Sequence, residues 1–167
     1  VGPQGRPVNR GAVNAGVVDL AGSPDYRLEI SGQGARPLTF TLDELKLVVE
    51  TAKSANIPVC AHATTPEGMR RATLAGVETI EHGDGGTPEV FRLMKERGVA
   101  LCPTLSIASP NNIERKRAAF RAALDAGVTI ASGSDVGVFA HGKNARELET
   151  MMDFGMAPIN ALRSATS

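Results

Sequence analysis

Stretches with helical spacing in this chain close on a glycine or an asparagine, and a short apolar, β-branched run begins at once. The transition recurs at Asn56-Ile57-Pro58-Val59, Gly76-Val77, Gly98-Val99 and Gly127-Val128. Glycine or asparagine just past a helix adopts the left-handed cap at little cost, so each site reads as helix end followed by strand start. The strands predicted in this way are Tyr26 to Ile30, Val59 to His62, Thr79 to His82, Ala100 to Thr104 and Thr129 to Ser132. Their apolar residues run on without strict alternation, which suits parallel strands covered on both faces. Helix starts are marked as well. Thr41 precedes Glu44 at capping-box spacing, Asn144 precedes Glu147 in the same way, and Thr65-Pro66 and Thr87-Pro88 each put a cap residue before a proline. The predicted helices cover 43–55, 67–75, 88–97, 112–126 and 145–154, with a last one from Pro158.

Alternating strands and helices imply an α/β fold, either a doubly wound open sheet or a barrel. Five βα units are present, against the eight units and about 250 residues of a complete (β/α)₈ barrel. The expected architecture is therefore a partial barrel over residues 25–167, preceded by a loop-rich segment, 1–24, in which only Val17 to Ala21 could form a strand. The chain starts on a valine and its last segment breaks off within a helical pattern, so a piece of a longer protein is expected.

Composition narrows the functions available. Lysine and arginine number 18, as do aspartate and glutamate, and no run of like charge marks a nucleic-acid or membrane surface. Cys60 and Cys102 sit in separate runs read as buried strands, which argues against a disulfide framework. No stretch approaches the roughly 18 to 20 apolar residues needed to cross a bilayer, and no signal-peptide pattern occurs. A soluble, cytoplasmic protein is the expectation, without nucleic-acid or membrane partners.

In a parallel α/β fold reactive groups gather at the C-terminal ends of strands. His62, His82 and Asp135 lie at or just beyond the ends of three predicted strands, on one rim. A strand-end histidine is by itself more often a hydrogen-bonded rim residue. Here two of only three histidines take equivalent places. Imidazole nitrogen and carboxylate oxygen are usual zinc donors, and a catalytic zinc needs about three protein ligands plus an open position. Asp135 is the candidate to take a proton from the activated water. His141, in the loop after the last strand, is in position to touch substrate or support developing negative charge, with a surface histidine beside a helix cap as the ordinary alternative. Asn144 reads as a helix cap, Thr104 as a pocket-lining residue, Glu114-Arg115-Lys116-Arg117 as a solvated helix face, and Met151, Met152 and Met156 as packing residues.

At Ala61-His62-Ala63, Glu67-Gly68 and Ala75-Gly76-Val77-Glu78-Thr79-Ile80-Glu81-His82-Gly83, the sequence resembles the amidohydrolase superfamily, in its imidazolonepropionase-like and Xaa-Pro dipeptidase-like branch. Gly133-Ser134-Asp135 and His141-Gly142-Lys143-Asn144-Ala145-Arg146-Glu147-Leu148 extend the resemblance. It implies the last five βα units of a metallohydrolase barrel. His62 and His82 would be ligands after the fifth and sixth strands, and Asp135 ligand and base after the eighth. The implied activity is hydrolysis of a C–N bond in a small amide, dipeptide or cyclic amide by metal-activated water. The implied cofactor is one or two divalent ions, zinc first, although such donors also suit manganese, iron and cobalt.

The His-x-His pair that the family supplies from its first strand is absent from this chain, so the piece alone is expected to be a poor enzyme. Where many members carry a bridging carboxylated lysine, this chain has Asp25-Tyr26-Arg27-Leu28-Glu29-Ile30-Ser31-Gly32. Either the whole protein holds one metal or Glu29 replaces the bridging carboxylate, and strand register leaves Glu29 free to face inward or outward. Two other functions compete: a catalytically inactive barrel scaffold, and a phosphate-binding barrel isomerase or synthase using the Gly133-Ser134 amides. Half a barrel exposes strand edges and an apolar interior, which invites association into a homo-oligomer.

Overall fold

The computed structural model describes residues 28–30 and 38–166. The expected loop-rich segment 1–24, the possible strand Val17 to Ala21, and Tyr26 and Arg27 of the first expected strand lie outside them. The chain divides into two compact units, 1–45 and 46–167.

In the first unit β1 (Leu28–Ile30) pairs antiparallel with β2 (Leu38–Phe40), Glu29 lying opposite Thr39. This differs from the parallel βα unit expected here. Helix α1 (Leu42–Ser54) then opens with a reciprocal capping box: the Glu44 amide donates to Thr41 Oγ1 at 3.2 Å, and the Thr41 amide donates to Glu44 Oε2 at 2.6 Å.

The second unit is an α/β layer on a three-stranded parallel sheet, ordered β3 (Cys60–Ala63), β4 (Thr79–His82), β5 (Ala100–Cys102). Helices α2 (Pro66–Ala75) and α3 (Pro88–Arg97) join the strands. Both begin as expected, Thr65 Oγ1 accepting from the Gly68 amide and Thr87 Oγ1 from the Val90 amide. The four punctuating residues Asn56, Gly76, Gly98 and Gly127 all have positive φ, which lets each helix stop and the next strand start without a connecting loop.

Strand register explains the two faces of the sheet. Ala61, Ile80 and Leu101 stand side by side, and the latter two are buried on the face that α2 covers, together with Met69, Phe91 and Met94 of the helices. The opposite face carries Cys60 and His62, then Thr79 and Glu81, then Cys102. It is polar rather than apolar, and Cys60, expected in a buried strand, is exposed. Residue types of this kind in register on one side of a parallel sheet do not form a core; they form a lined surface.

The strand expected at Thr129 to Ser132 contracts to one parallel bridge between Leu101 and Ile130, with Leu101 N donating to Thr129 O and Ala131 N to Leu101 O. Pro103 ends β5 early, since it has no amide to continue the ladder. Beyond it come a 3-10 turn (Leu105–Ile107), α4 (Ile113–Asp125), α5 (Arg146–Asp153) and α6 (Pro158–Ser164). Met151 is fully buried, whereas Met152 is exposed, contrary to the packing role expected of all three methionines. It stands one residue, about 100°, round the helix from Met151. No helix among the described residues is long and apolar enough to cross a membrane.

Candidate functional site

His62 stands on the polar face of the sheet, directly opposite Glu81 on β4. His82 is paired with Ala63, so alternation alone would send it to the helix-covered side with Ile80. Its backbone is instead left-handed, with φ 73°, and the two imidazoles meet edge to face with ring centroids 4.3 Å apart. Gly83 follows with φ 65°, and a Cβ there would come within 2.5 Å of Leu101 Cδ1, so glycine is required by both conformation and space.

The histidines line a cavity of about 200 Å³ together with Glu81, Cys102, Thr104, Gly133 and Asp135. Three of these residues, His82, Thr104 and Asp135 (φ 73°, 47° and 53°), are non-glycine residues in the left-handed region, and only Asn56 shares that property elsewhere among the described residues. Such conformations are sterically disfavoured, most of all for a β-branched threonine, and persist only where the surroundings over-determine them. Their concentration around one cavity marks it as the place where the fold accepts strain.

Hydrogen bonds and burial set the chemistry of the lining. His82 Nδ1 lies 2.7 Å from Thr104 Oγ1. Burial is the largest cause holding the His82 imidazole below its ordinary pKa of 6.5, aided by His62 and Lys116 and opposed by Asp135 and Asp84. A neutral imidazole keeps a lone pair for a cation. Burial, followed by the hydrogen bond to Glu81, pushes the Cys102 thiol far above its ordinary value, so it contributes no thiolate. Gly133 forms the wall against Cys102, where a Cβ would approach Sγ to 2.5 Å.

Of the residues singled out from sequence, His62, His82, Asp135 and Thr104 share this cavity. His141 is exposed and is not among its lining residues. Glu29 belongs to the first unit, whereas the cavity lies wholly within the second. Glu81 and Cys102 were not singled out; their places opposite His62 and Glu81 in the strand register were the signal that could have found them.

Two charged residues beneath the rim depart from expectation. Lys116, read as part of a solvated face, is 2% exposed, and its Nζ donates to Asp84 Oδ1 at 2.6 Å and to Pro103 O at 3.4 Å. Its neighbours on α4 do face solvent; Arg115 is 64% exposed. Glu147, expected to complete a capping box with Asn144, is fully buried instead, and its carboxylate receives the Leu105 amide, the Ser106 amide and the Ser106 hydroxyl. Helix α5 starts from Ala145 without a side-chain cap.

The imidazole pair fits a soft-to-borderline divalent cation as two nitrogen donors of a set, with Asp135 supplying oxygen on the same cavity. Among the described residues no three His, Cys, Asp or Glu side chains converge closely enough to hold an ion by themselves. By themselves, then, the two histidines and Asp135 would be an incomplete donor set.

Known proteins resemble this chain over most of its length. The chain is 33% identical over 147 residues to ochratoxinase of Aspergillus niger, a match covering 77% of this chain and 30% of that protein. It is 32% identical over 143 residues to an uncharacterized protein of Mycobacterium tuberculosis, covering 74% of this chain and 39% of the other. Among solved structures it superposes on a Xaa-Pro dipeptidase with methionine bound in its active site. There the TM-score is 0.70 and the identity 37%, over 80% of this chain and 37% of that one. The A. niger ochratoxinase structure gives a TM-score of 0.68 at 32% identity, over 77% of this chain and 33% of that one. The chain thus spans about a third of the length of these relatives. The Amidohydrolase family model matches residues 13–167, a stretch that contains every lining residue of the His62–His82 cavity, and the chain belongs to the amidohydrolase family.

Proposed function

We propose that this chain provides the rim of a metal-dependent amide hydrolase formed on the last five βα units of a (β/α)₈ barrel. The observation that carries the reading is the meeting of His62 and His82 at 4.3 Å on a cavity that Asp135 also lines, with burial holding the His82 imidazole below its ordinary pKa. The substrate class is a small C–N compound such as a dipeptide or cyclic amide. The names of the relatives, a Xaa-Pro dipeptidase and an ochratoxinase, support that class.

In this mechanism His62 and His82 would be the nitrogen donors for a divalent cation, zinc being the first choice. The cation, when bound, supplies Lewis acidity that polarises the scissile carbonyl and brings water closer to deprotonation at neutral pH. Asp135 accepts the proton of the attacking water and delivers it to the departing nitrogen. Its exposure keeps it reachable from solvent for proton return. Glu81 and Cys102 line the same cavity, and burial and the bond to Glu81 keep the Cys102 thiol protonated. His141 is the proposed substrate contact from the loop before α5, and Glu29 the proposed further carboxylate. The phosphate-site alternative leaves the paired imidazoles without a role.

The test uses the whole protein. Asp135→Asn should lower hydrolysis of Xaa-Pro dipeptides by about 10² to 10⁴-fold, with unchanged circular dichroism; retained turnover would remove Asp135 from the mechanism. Metal counting on the same preparation and on Glu29→Ala addresses the ligand set, an unchanged count eliminating Glu29.

A further inference from the structure

Thr104 occupies the least comfortable backbone conformation of the cavity, and it is anchored from both sides. It is buried, β-branched and left-handed, with φ 47° and ψ 52°, a state that costs such a residue on the order of 1 to 3 kcal/mol. Before it, the Pro103 carbonyl accepts from Lys116 Nζ at 3.4 Å. After it, Glu147 takes the next two amides: Leu105 N donates to Oε1 at 2.8 Å and Ser106 N to Oε2 at 2.6 Å. The Ser106 hydroxyl adds a third bond to Oε2 at 2.7 Å.

Glu147 lies 41 residues from Ser106 in sequence, at the start of α5. A fully buried carboxylate is costly unless its lone pairs are filled, and three donors fill most of them. The helix N-terminus favours its negative charge further. The result is a rigid bracket across two loops: one leads out of β5, the other carries Asp135 into α5. What the bracket holds in place is the Thr104 hydroxyl, 2.7 Å from His82 Nδ1.

We propose that Glu147 is a positioning residue for His82, acting through Thr104. By clamping the amides of Leu105 and Ser106 it keeps Thr104 left-handed, so that Thr104 Oγ1 accepts the Nδ1–H proton of His82 and Nε2 is left as the nitrogen with the free lone pair. Free histidine prefers the opposite tautomer, and a hydrogen bond at one ring nitrogen decides which nitrogen serves as ligand. The inference rests on the reading of His82 as a cation donor only for its purpose. The tautomer itself is a property of the metal-free chain.

The experiment separates the two. Long-range ¹H–¹⁵N correlation of the histidine rings is recorded on the metal-free chain at a pH where imidazoles are neutral, with the His82 signals assigned from His82→Gln. Zinc affinity is measured on the same samples by competition with a chelating dye. The parent and Thr104→Ser should show the proton of His82 on Nδ1. Thr104→Val and Glu147→Gln should move it to Nε2 and weaken zinc binding by about 10 to 100-fold, while Thr104→Ser stays within about threefold of the parent. If Glu147→Gln does not fold, Ser106→Ala, which removes only the hydroxyl donor, should shift the tautomer ratio in the same direction by a smaller amount. An unchanged His82 tautomer in folded Thr104→Val overturns the role of Thr104, and an unchanged one in Glu147→Gln or Ser106→Ala overturns the relay from Glu147. A tautomer that responds in a parent chain that binds no zinc supports the relay, because the two histidines and Asp135 are only part of a ligand set.

Discussion

Replacing Lys116 by methionine removes one partner of a buried ion pair while keeping the volume of the side chain. The Lys116 side chain is 1% exposed, Asp84 is 9% exposed, and Nζ and Oδ1 are 2.6 Å apart. Removing one partner of such a pair costs about 3 to 5 kcal/mol, chiefly because the other charge is left without compensation in a poorly solvated place. Here the loss is not symmetric. Arg115 Nη2 stands 3.6 Å from Asp84 Oδ2 and offers the orphaned carboxylate a second, solvent-screened partner worth up to about 1 kcal/mol. Lys116 has only the Pro103 carbonyl to fall back on. Lys116→Met should therefore cost about 2 to 4 kcal/mol, and Asp84→Asn about 1 kcal/mol more. The double variant Asp84→Asn with Lys116→Met leaves no buried charge of the pair uncompensated and should be more stable than either single one. Urea unfolding followed by far-UV circular dichroism gives the three values, and the double-mutant cycle isolates the pair, with a coupling of about 1.5 to 3 kcal/mol expected. Single costs below about 1 kcal/mol, with the Asp84→Asn variant no worse than Lys116→Met, would show that water reaches the pair and refute the reasoning.

Two further outcomes follow from local geometry. Gly133→Ala drives a methyl group towards Cys102 Sγ, a clash in a packed wall that should destabilise the chain by about 1 to 3 kcal/mol; adding Cys102→Ala should recover most of it in the same unfolding assay, and no recovery would place the strain elsewhere. Glu67, gripped first by Arg70 and then by Arg71 against an opposing effect of burial, has its pKa lowered from 4.5 to about 2. Its unfolded form binds protons more readily, so the contribution is complete above about pH 4.5 and is lost as pH falls towards about 2. Being partly exposed, the pair should contribute no more than about 1 kcal/mol, and Glu67→Gln should flatten that part of the stability profile; an unchanged acid slope would mean that the ion pair does not form.

The readable parts of this fold were those whose cause is local. A left-handed cap needs one residue, and all four Gly or Asn stops adopted it. A helix start needs a hydroxyl and the amide three residues on, and Thr41, Thr65 and Thr87 each supply one. The strand ends bearing His62 and His82 followed from these boundaries. The reading failed where the cause lay far along the chain. Lys116 and Glu147 look like surface residues by type and spacing, because the groups that make their burial possible sit 32 and 41 residues away. The Thr129 to Ser132 run has the apolar character of a strand but makes a single bridge to β5, because pairing depends on neighbours rather than on composition.

Period-two alternation also misled at His82, and the reason bears on function. Extended backbone at that residue would have turned the imidazole under α2; a left-handed residue turns it towards His62. The same departure occurs at Thr104 and at Asp135, so the strain falls on residues lining one cavity. Aspartate and histidine tolerate that conformation, but at Thr104 a fold selected for stability alone would put glycine or asparagine, since a β-branched residue accepts it at greatest cost. Instead it keeps threonine there, and flanks it with a buried lysine and a buried glutamate whose bonds run to the backbone on either side of it. Buried ionic anchors rarely add net stability over an apolar replacement. Their value here lies in holding a costly backbone in one geometry, which is what a pair of imidazoles must have if both are to meet the same ligand.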